Sequence, residues 1–357
     1  MKHVAFPVVK TKIPGLDKTF DLATPQGRRL YFDAKAGQEI KKIQNYLSSN
    51  RFAGLLIGKK NSGKGTYTKM FMEAVGPDLV THVSVGDLVR EVHANWKKYK
   101  ADGKEKLLKK NYQGKVSFEQ AIETLFNRST KTLVSTELIM ALLKTHLDSL
   151  ETKNAIFLDG LPRDLDQISH TQKIRGWFGL KDNPDLFVLV DVPEAVMDTR
   201  MKGRVVCPVC QVPRHPNLLL TTYLDRDPNT GEIFLLCDNP NCHQARMHIK
   251  DGDSLGVEAI RDRLNREEEI MEKILALEKS DNILLSASVP VYLAKETVDD
   301  YEIHDIYDYH WDNANKKIKP LGKHWRFKDD LGRDSYTLFP PPVTVYFIKE
   351  MVRILKI

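Results

Sequence analysis

The 357-residue sequence has no hydrophobic run long enough to cross a membrane. A spanning helix needs about 20 consecutive apolar residues, and every apolar run here is far shorter. The first residues, MKHVAFPVVKTKIPG, contain Pro7 and Lys10 and so lack the apolar block of a secretory signal. These absences argue against helical membrane spans and predict a cytoplasmic protein without a membrane partner.

Cysteine is scarce, and the four that occur lie close together in the sequence, at Cys207, Cys210, Cys237 and Cys242. In a reducing compartment such a cluster is more typical of a metal site than of disulfides. The first pair has the C-x2-C spacing of a tetrahedral Zn²⁺ knuckle, and the second, CDNPNC, is looser. We predict a structural four-thiolate zinc site, in which His215 or His243 could replace one cysteine. The alternative is four unliganded thiols.

The sequence has only a small excess of positive charge. It contains 54 Lys and Arg and 48 Asp and Glu, which gives a net charge of +6. This surplus suits phosphorylated ligands but is equally common as a solubility charge. Lysines concentrate in residues 97–115, where a solvated helical face is the simpler interpretation. Aromatic residues do not alternate with these lysines as a base-stacking surface requires, so we predict no nucleic-acid partner.

Short apolar runs alternate with segments of helical periodicity. The runs predict buried strands at residues 52–57, 155–160, 186–192 and 282–288, and the periodic segments predict helices at residues 37–50, 67–75, 136–150 and 256–279. This alternation indicates an α/β protein with a parallel sheet flanked by helices. Residues 1–36 look irregular, residues 336–355 fit a last strand and helix, and residues 290–335 show no clear periodicity.

The stretch GKKNSGKGT, residues 58–66, nearly matches the phosphate-loop pattern G-x-x-x-x-G-K-[ST] and stands between a predicted strand and helix. Glycines let backbone N–H groups face phosphate oxygens, and the helix N-terminus adds positive potential. Lys64 would reach the terminal phosphates, whereas Gly65 displaces the usual hydroxyl to Thr66. A plain glycine-rich turn is the alternative, and the strand and helix context disfavours it.

The G-K-G-T sequence resembles the phosphate loop of adenylate kinases, although Lys60 and Asn61 stand where that family commonly has proline and glycine. The resemblance continues in order through VSVGDLVREV (83–92), TLVSTELIMALLK (132–144), FLDGLPRDLDQ (157–167), DTRMKGRVVC (198–207) and AIRDRL (259–264). It covers about residues 50–290. It implies a P-loop nucleoside-monophosphate-kinase fold with an inserted acceptor-binding region and a zinc-ribbon lid.

The resemblance also implies the roles of particular residues. ATP would bind through Gly58, Asn61, Ser62, Gly63, Lys64, Gly65, Thr66, Arg200 and Arg204. AMP would bind through Val85, Arg90, Leu133, Val134, Gly160, Arg163, Gln167 and Arg263, with Val85 replacing the usual threonine and Gln167 reading the adenine edge. The catalytic set would be Lys64, Arg163, Arg204, Arg263 and Asp159. Asp159 would order water around the Mg²⁺ bound with ATP.

The implied organisation has a core of residues 51–83, 150–203 and 255–357, in which residues 290–335 stay unassigned. Residues 1–50 form an extension and leading helix, residues 84–149 the monophosphate-binding region with a long insertion at about 95–130, and residues 204–254 the lid. In the lid, Arg246 or Lys250 would replace a family arginine.

The implied reaction is reversible transfer of the terminal phosphoryl group of ATP to AMP, giving two ADP, by a monomer. Three alternatives remain open. They are a kinase for another nucleoside monophosphate, a nucleotide-binding regulatory protein without catalysis, and a zinc ribbon that binds nucleic acid.

Overall fold

The structure is a computed structural model that describes residues 6–127, 134–150, 155–180, 185–250, 252–277 and 280–357. The helices are α1 (Pro25–Leu47), α2 (Lys64–Val75), α3 (Val85–Ala94), α4 (Trp96–Ala101), α5 (Lys104–Asn111), α6 (Phe118–Phe126), α7 (Thr136–Ser149), α8 (Thr171–Trp177), α9 (Glu194–Lys202), α10 (Arg261–Leu275), α11 (Val291–Thr297) and α12 (Pro340–Leu355). The strands are β1 (Phe52–Gly58), β2 (Val80–Ser84), β3 (Ala155–Asp159), β4 (Asp185–Asp191), β5 (Val205–Val206), β6 (Pro213–Arg214), β7 (Leu224–Arg226), β8 (Ile233–Leu235), β9 (His248–Ile249), β10 (Ser280–Ser286), β11 (Ser288–Pro290), β12 (Asp305–Asp312), β13 (Lys317–His324), β14 (Arg326–Lys328) and β15 (Asp334–Thr337).

Five parallel strands form the central sheet, in the order β10-β4-β1-β3-β2. The four strands predicted from apolar runs are β1, β3, β4 and β10, so the predicted parallel α/β fold with a glycine loop after β1 is confirmed. The edge strand β2 has only two buried residues, Val80 and Val83, and was not predicted. All five strands end at one edge of the sheet, which is where ligands bind in open parallel sheets.

The two faces of the sheet pack against different helices, because successive side chains of a strand point in opposite directions. In β1, Phe52 and Leu56 belong to the larger hydrophobic cluster, and Leu55 and Ile57 face a cluster built with α10. On the first face, Phe71 of α2, Phe157 of β3 and Phe347 of α12 form a ring triad with centroids 4.8–5.4 Å apart. Fully burying each such ring contributes about 2–3 kcal/mol, so this triad helps to hold the loop-bearing β1–α2 unit on the sheet.

The prediction of an irregular chain up to residue 36 was wrong, because α1 begins at Pro25. Pro25 and Gly27 were interpreted as helix breakers, but proline is well suited to the first helical turn, where its missing N–H leaves no lost bond. Thr24 caps this turn by accepting a hydrogen bond from the N–H of Gly27. The helix kinks at Ala36, where the backbone leaves helical geometry, and the predicted helix at 37–50 is its second half.

Residues 290–335, which the sequence left unassigned, form two small antiparallel sheets. Strands β11, β15 and β14 make one, and the β12–β13 hairpin makes the other. The helix predicted within 336–355 is α12. The strand beside it, β15, pairs with β11 and β14, so it does not extend the central sheet.

The insertion at 95–130 is helical in its described part, with α4, α5 and α6 packed beside α3 and α7. Leu108, Phe118 and Leu125 contribute to a second hydrophobic cluster with Leu88 and Leu142. The lysines of α5 at 104, 106, 109 and 110 are exposed, as predicted for a solvated helical face. Within the described ranges, no helix combines the length and the apolar character needed to cross a bilayer.

Candidate functional site

The glycine loop of residues 58–66 joins the end of β1 to the start of α2. Gly58 and Gly63 have φ angles of 155° and 97°, and Asn61 has a φ angle of 66°. Asparagine is the side chain best tolerated in this left-handed region after glycine, so Asn61 preserves a backbone shape for which the related loops use glycine. A Cβ atom on Gly58 would lie 2.4 Å from the carbonyl oxygen of Val190, so this close approach of β1 and β4 requires glycine.

Lys64, the first residue of α2, bends back across the loop. Its ammonium donates hydrogen bonds to the carbonyl oxygens of Gly58 at 2.6 Å and Lys59 at 3.0 Å. Burial lowers the pKa of Lys64, which the negative charge of Asp159 partly offsets. The ammonium of Lys64 is thus held inside the loop. It has three N–H donors and uses two of them here, so one remains to donate to an anion.

Asp159 ends β3 at the same edge of the sheet. Its Oδ2 atom lies 4.0 Å from Nε2 of His82, which no sequence pattern had indicated as a site residue. Burial lowers the pKa of His82, and its Nε2 atom is buried without a hydrogen-bond partner in the described part of the chain. Ser62 Oγ in the loop is likewise buried without a partner there, and Thr66 lies in the first turn of α2.

Arg90 of α3 and Arg163, after β3, approach one another around Gly86. A Cβ atom on Gly86 would lie 3.2 Å from a terminal nitrogen of Arg163 and 3.5 Å from one of Arg90, and one on Gly160 would lie 2.9 Å from Arg163. These glycines therefore leave space for the Arg163 guanidinium. Burial and the nearby charge of Arg263 lower the pKa of Arg163, and the charges of Asp159 and Glu267 partly offset this effect. Among the described residues, Arg90 forms its one ion pair with Asp87, on an exposed surface where ion pairs contribute little.

Gln167 is held tightly beside this arginine pair. Its Oε1 atom accepts a hydrogen bond of 2.7 Å from the N–H of Arg163, and its Nε2 atom donates one of 3.0 Å to Thr136. An amide can make four hydrogen bonds, so one acceptor position and one N–H remain for a base edge. Val134 and Val85 are buried in the second hydrophobic cluster, and Leu133 lies outside the described residues.

The remaining predicted arginines are already paired with protein groups. Arg200 donates to the carbonyl oxygen of Asn61 at 3.1 Å. Arg204 makes two hydrogen bonds to Asp253, of 2.6 and 2.8 Å, and Arg263 donates to Glu267 at 2.8 Å. A polyphosphate that binds here would exchange these carboxylates for phosphate oxygens, which guanidinium groups bind in the same forked geometry.

The two candidates for the family's lid arginine lie in different places. Arg246 pairs with Glu232 at 2.8 Å and covers the ring of Phe234, 4.0 Å from its centroid. Lys250 instead donates its backbone N–H to the carbonyl oxygen of Arg204, at 3.2 Å. Lys250 is therefore the candidate that adjoins Arg204.

The sequence had not indicated Glu267 as a site residue, although it connects two site elements. One of its oxygens accepts the N–H of Lys60 at 2.8 Å and the other accepts Nε of Arg263 at 2.8 Å. The spacing of four residues between Arg263 and Glu267 predicts their pairing on one helical face. Nothing local predicts the bond to Lys60, which is 207 residues away in the chain.

The four cysteines form a compact cluster at the start of the predicted lid. Their Sγ atoms all lie within 4.8 Å of one another, and those of Cys210 and Cys237 are 3.7 Å apart. Four thiolates around one tetrahedral zinc ion stand about 3.8 Å apart, so this cluster has the right size for the ion. A hydrogen bond from the backbone N–H of Cys210 is the main cause that lowers the pKa of Cys207 to about 7.

No histidine joins the metal-ligand set found among the described residues. His215 turns away from the cysteines, because its Nε2 atom lies 3.1 Å from the carbonyl oxygen of Thr199. The donor set is therefore the predicted four thiolates, which together can bind a metal such as zinc.

Comparison with known proteins confirms the resemblance that the motifs indicated. The chain is 28% identical over 156 residues to an adenylate kinase of Ruminiclostridium cellulolyticum, which is 44% of this chain and 61% of that protein. It is 29% identical over 161 residues to one of Finegoldia magna, 45% of this chain and 63% of that protein. The match to one of Clostridium tetani reaches 24% over 232 residues, 65% of this chain and 88% of that protein. The chain thus spans about three fifths of the first two relatives. No family model matches it.

Proposed function

We propose that this protein is a nucleoside monophosphate kinase, and specifically an ATP:AMP phosphotransferase that forms two ADP. The observation that carries the proposal is the convergence of Lys64, Arg163 and Arg263 on the sheet edge where Asp159 ends β3. Arg263 pairs with Glu267 here, and a phosphate group can replace that carboxylate. Converging cations of this kind suit two phosphorylated ligands better than an apolar or a cationic one.

In the proposed mechanism the residues of this chain position and neutralise, and none forms a covalent bond to phosphate. The loop N–H groups and Lys64 hold the donor phosphates, while Arg90 and Arg163 hold the acceptor phosphate and Gln167 orients its base. The acceptor is already an anion, so no general base is needed. Arginine side chains beside the transferring group stabilise the charge that spreads over its oxygens. Mg²⁺ bound with ATP would supply further charge neutralisation, and Asp159 is the carboxylate placed to order its water.

We further propose that the lid segment, residues 204–254, is stabilised by one structural zinc ion on the four cysteines. Four thiolates leave no open coordination position, so such an ion would take no part in the reaction.

The second candidate is a kinase for another nucleoside monophosphate. The observation that favours it is Val85, whose side chain lies in the second hydrophobic cluster and brings no hydroxyl to the acceptor site. Gln167, which can pair with the edge of adenine through one donor and one acceptor, favours AMP instead.

A coupled assay of ADP production with ATP, Mg²⁺ and each of AMP, GMP, CMP and UMP tests the proposal. We expect the highest kcat/KM with AMP. A higher value with another monophosphate would replace the acceptor but keep the enzyme class. No product with any acceptor, in a protein that still binds ATP, would contradict the proposal and leave a nucleotide-binding regulatory protein.

A further inference from the structure

Lys60 occupies a position in the phosphate loop for which the related loops commonly have proline, and its backbone is fixed there. Its N–H donates to Glu267, whose other oxygen accepts Nε of Arg263, both at 2.8 Å. A proline has no N–H, so this connection exists only because the loop carries another residue at position 60. The carboxylate of Glu267 therefore links the phosphate loop to the side chain of Arg263.

The surroundings of the Lys60 side chain are cationic. Partial burial is the main cause that lowers the pKa of its ammonium, and the positive charges of Arg263, Arg204 and Lys250 lower it further. Asp253 is the carboxylate that acts on it most, but both oxygens of Asp253 already accept hydrogen bonds from Arg204. Lys60 makes no side-chain hydrogen bond or ion pair to any residue that the structure describes.

The charged residues around Lys60 form two hydrogen-bonded groups. Arg204, Lys250 and Asp253 are joined by the bidentate ion pair and by bonds from Lys250 N to Arg204 O and from Asp253 N to Lys250 O, of 3.2 and 3.1 Å. Arg263 and Glu267 form the other group, on α10. The backbone N–H of Lys60 is bonded to the second group through Glu267, and residues of both groups act electrostatically on its ammonium. Asp253 and Glu267 each compensate one arginine, so among the described residues of this cluster an excess of positive charge remains for an anionic ligand.

We propose that Lys60 is an additional phosphate-binding residue of this chain, which contacts the terminal phosphates of a bound nucleoside triphosphate together with Lys250. This proposal rests on the proposed function for its ligand, and it adds a residue that the family pattern does not provide. When the triphosphate binds, the ammonium of Lys60 donates to phosphate oxygens, and the repulsion among the four cations is replaced by attraction to the ligand.

The test is the affinity of the full-length, zinc-loaded protein for ATP and separately for AMP, by titration calorimetry without turnover. Lys60→Met keeps the backbone N–H that Glu267 needs and removes only the charge. We expect it to weaken ATP binding about tenfold, the loss typical of one hydrogen bond to a charged group, and to change AMP binding less than about twofold. Lys60→Arg should recover most of the ATP affinity. Lys106→Met, which removes an exposed lysine of α5, is the matched control and should bind both nucleotides like the wild type.

Two results would overturn the proposal. One is unchanged ATP affinity in Lys60→Met, and the other is an equal loss for ATP and AMP, which would indicate a general distortion of the loop. The outcome is independent of the proposed reaction, because the assay measures binding alone. A wild-type protein that binds ATP but phosphorylates no monophosphate would contradict the proposed function and would still allow the role of Lys60 to be measured.

Discussion

Asn217 in the lid segment and Tyr307 in the β12–β13 hairpin exchange two hydrogen bonds. The N–H of Tyr307 donates to the carbonyl oxygen of Asn217 at 2.8 Å, and Nδ2 of Asn217 donates to the carbonyl oxygen of Tyr307 at 2.7 Å. The hydroxyl of Tyr309 adds a bond from the N–H of Thr221 at 3.2 Å, and the Arg226 guanidinium lies over the ring of Trp311. The hairpin therefore braces the lid segment from residue 217 to residue 226.

Asn217→Ala should loosen this part of the lid. The variant loses one of the two exchanged bonds, worth about 1 kcal/mol, so we expect backbone N–H exchange with deuterium in residues 217–224 to become about fivefold faster. Hydrogen-exchange mass spectrometry of that peptide measures the change. Asn229→Ala, in an exposed turn of the same segment, is the matched control. Equal exchange rates in the wild type and Asn217→Ala would show that the hairpin does not restrain the lid.

Arg163→Ala should lower turnover strongly. Its guanidinium is the one that lies nearest both Arg90 and the glycines at 86 and 160, so its loss removes charge from the centre of the proposed acceptor site. We expect kcat to fall about 10²-fold or more. Arg29→Ala, which changes an exposed arginine of α1, is the control and should keep wild-type turnover. Retention of full turnover by Arg163→Ala would refute the role proposed for this residue.

Removal of the metal should destabilise the lid segment alone. Apart from the cysteines, the cluster at its centre has only Leu235 and Met247 as fully buried apolar residues, too small a core to hold a fold without a crosslink. We expect one zinc per chain by elemental analysis, and faster hydrogen exchange of residues 205–249 after chelation or in Cys237→Ser. Exchange in β1 and β4 should stay unchanged.

Val209→Ala is the control for the metal experiment, because Val209 lies between two of the cysteines and is exposed. A purified protein that contains no metal, or a chelated protein whose lid exchanges at the original rate, would be incompatible with the structural zinc.

Lys35→Met should destabilise the whole protein. Lys35 is fully buried and its ammonium lies 2.6 Å from Asp299 and 3.7 Å from the buried Glu302. Removing one member of a buried ion pair leaves the other charge uncompensated, at a cost of about 3 kcal/mol in the free energy of unfolding. Urea unfolding measures this loss. Lys41→Met, on the exposed side of α1, should change stability by less than about 0.5 kcal/mol, and a similar small effect at Lys35 would contradict the prediction.

Stability should fall below neutral pH in part because of His304. Burial, and secondarily the charge of Arg200, lower its pKa from 6.5 to about 4, with a smaller contribution from His215 and an opposing one from Asp305. Above pH 6.5, His304 is neutral in both the folded and the unfolded protein. Between about pH 6.5 and 4 only the unfolded chain binds the proton, so unfolding becomes easier by up to about 3 kcal/mol as the pH falls.

His304→Phe tests this, because it keeps the ring packing against Phe339, whose centroid is 4.6 Å away, and cannot be protonated. The free energy of unfolding of the variant should decline less between pH 7 and 4.5 than that of the wild type. His310→Phe, at an exposed position of β12, should follow the wild-type curve. Parallel curves for His304→Phe and the wild type would exclude His304 as a source of the pH dependence.

Features that depend on neighbouring residues were predictable. The apolar run of β1 followed by glycines and Lys64 predicts the strand, the loop and the helix, because each depends on local backbone preferences. The cysteine spacing predicted a four-ligand cluster. The apolar run that ends at Asp159 predicted a buried strand, and the structure confirms it as β3. The start of α1 was missed because a proline such as Pro25 can either end a helix or stand in its first turn. The cap from Thr24 and the packing of the helix select the first turn.

Features that depend on distant residues were not predictable. Residues 290–335 show no clear periodicity, because their short strands pair with one another rather than with the central sheet. The β12–β13 hairpin also hydrogen-bonds to the lid segment at Asn217. The motif around Gln167 indicated a residue that contacts the base. Arg163 and Thr136 use half of the hydrogen bonds that its amide can form, which the sequence did not indicate. The sequence marked Lys60 as a departure from the family loop, but the bond of its N–H to Glu267 depends on a residue far away in the chain.

The sequence by itself determined the glycine loop, the parallel sheet and the kinds of side chain that surround the cleft, since short-range backbone geometry and residue chemistry are written in adjacent positions. Only the tertiary structure decided which charged residues form ion pairs or hydrogen bonds with one another. Partners such as Lys60 and Glu267, or Lys35 and Glu302, are brought together by the packing of whole helices and strands, and nothing in their immediate sequence records that encounter.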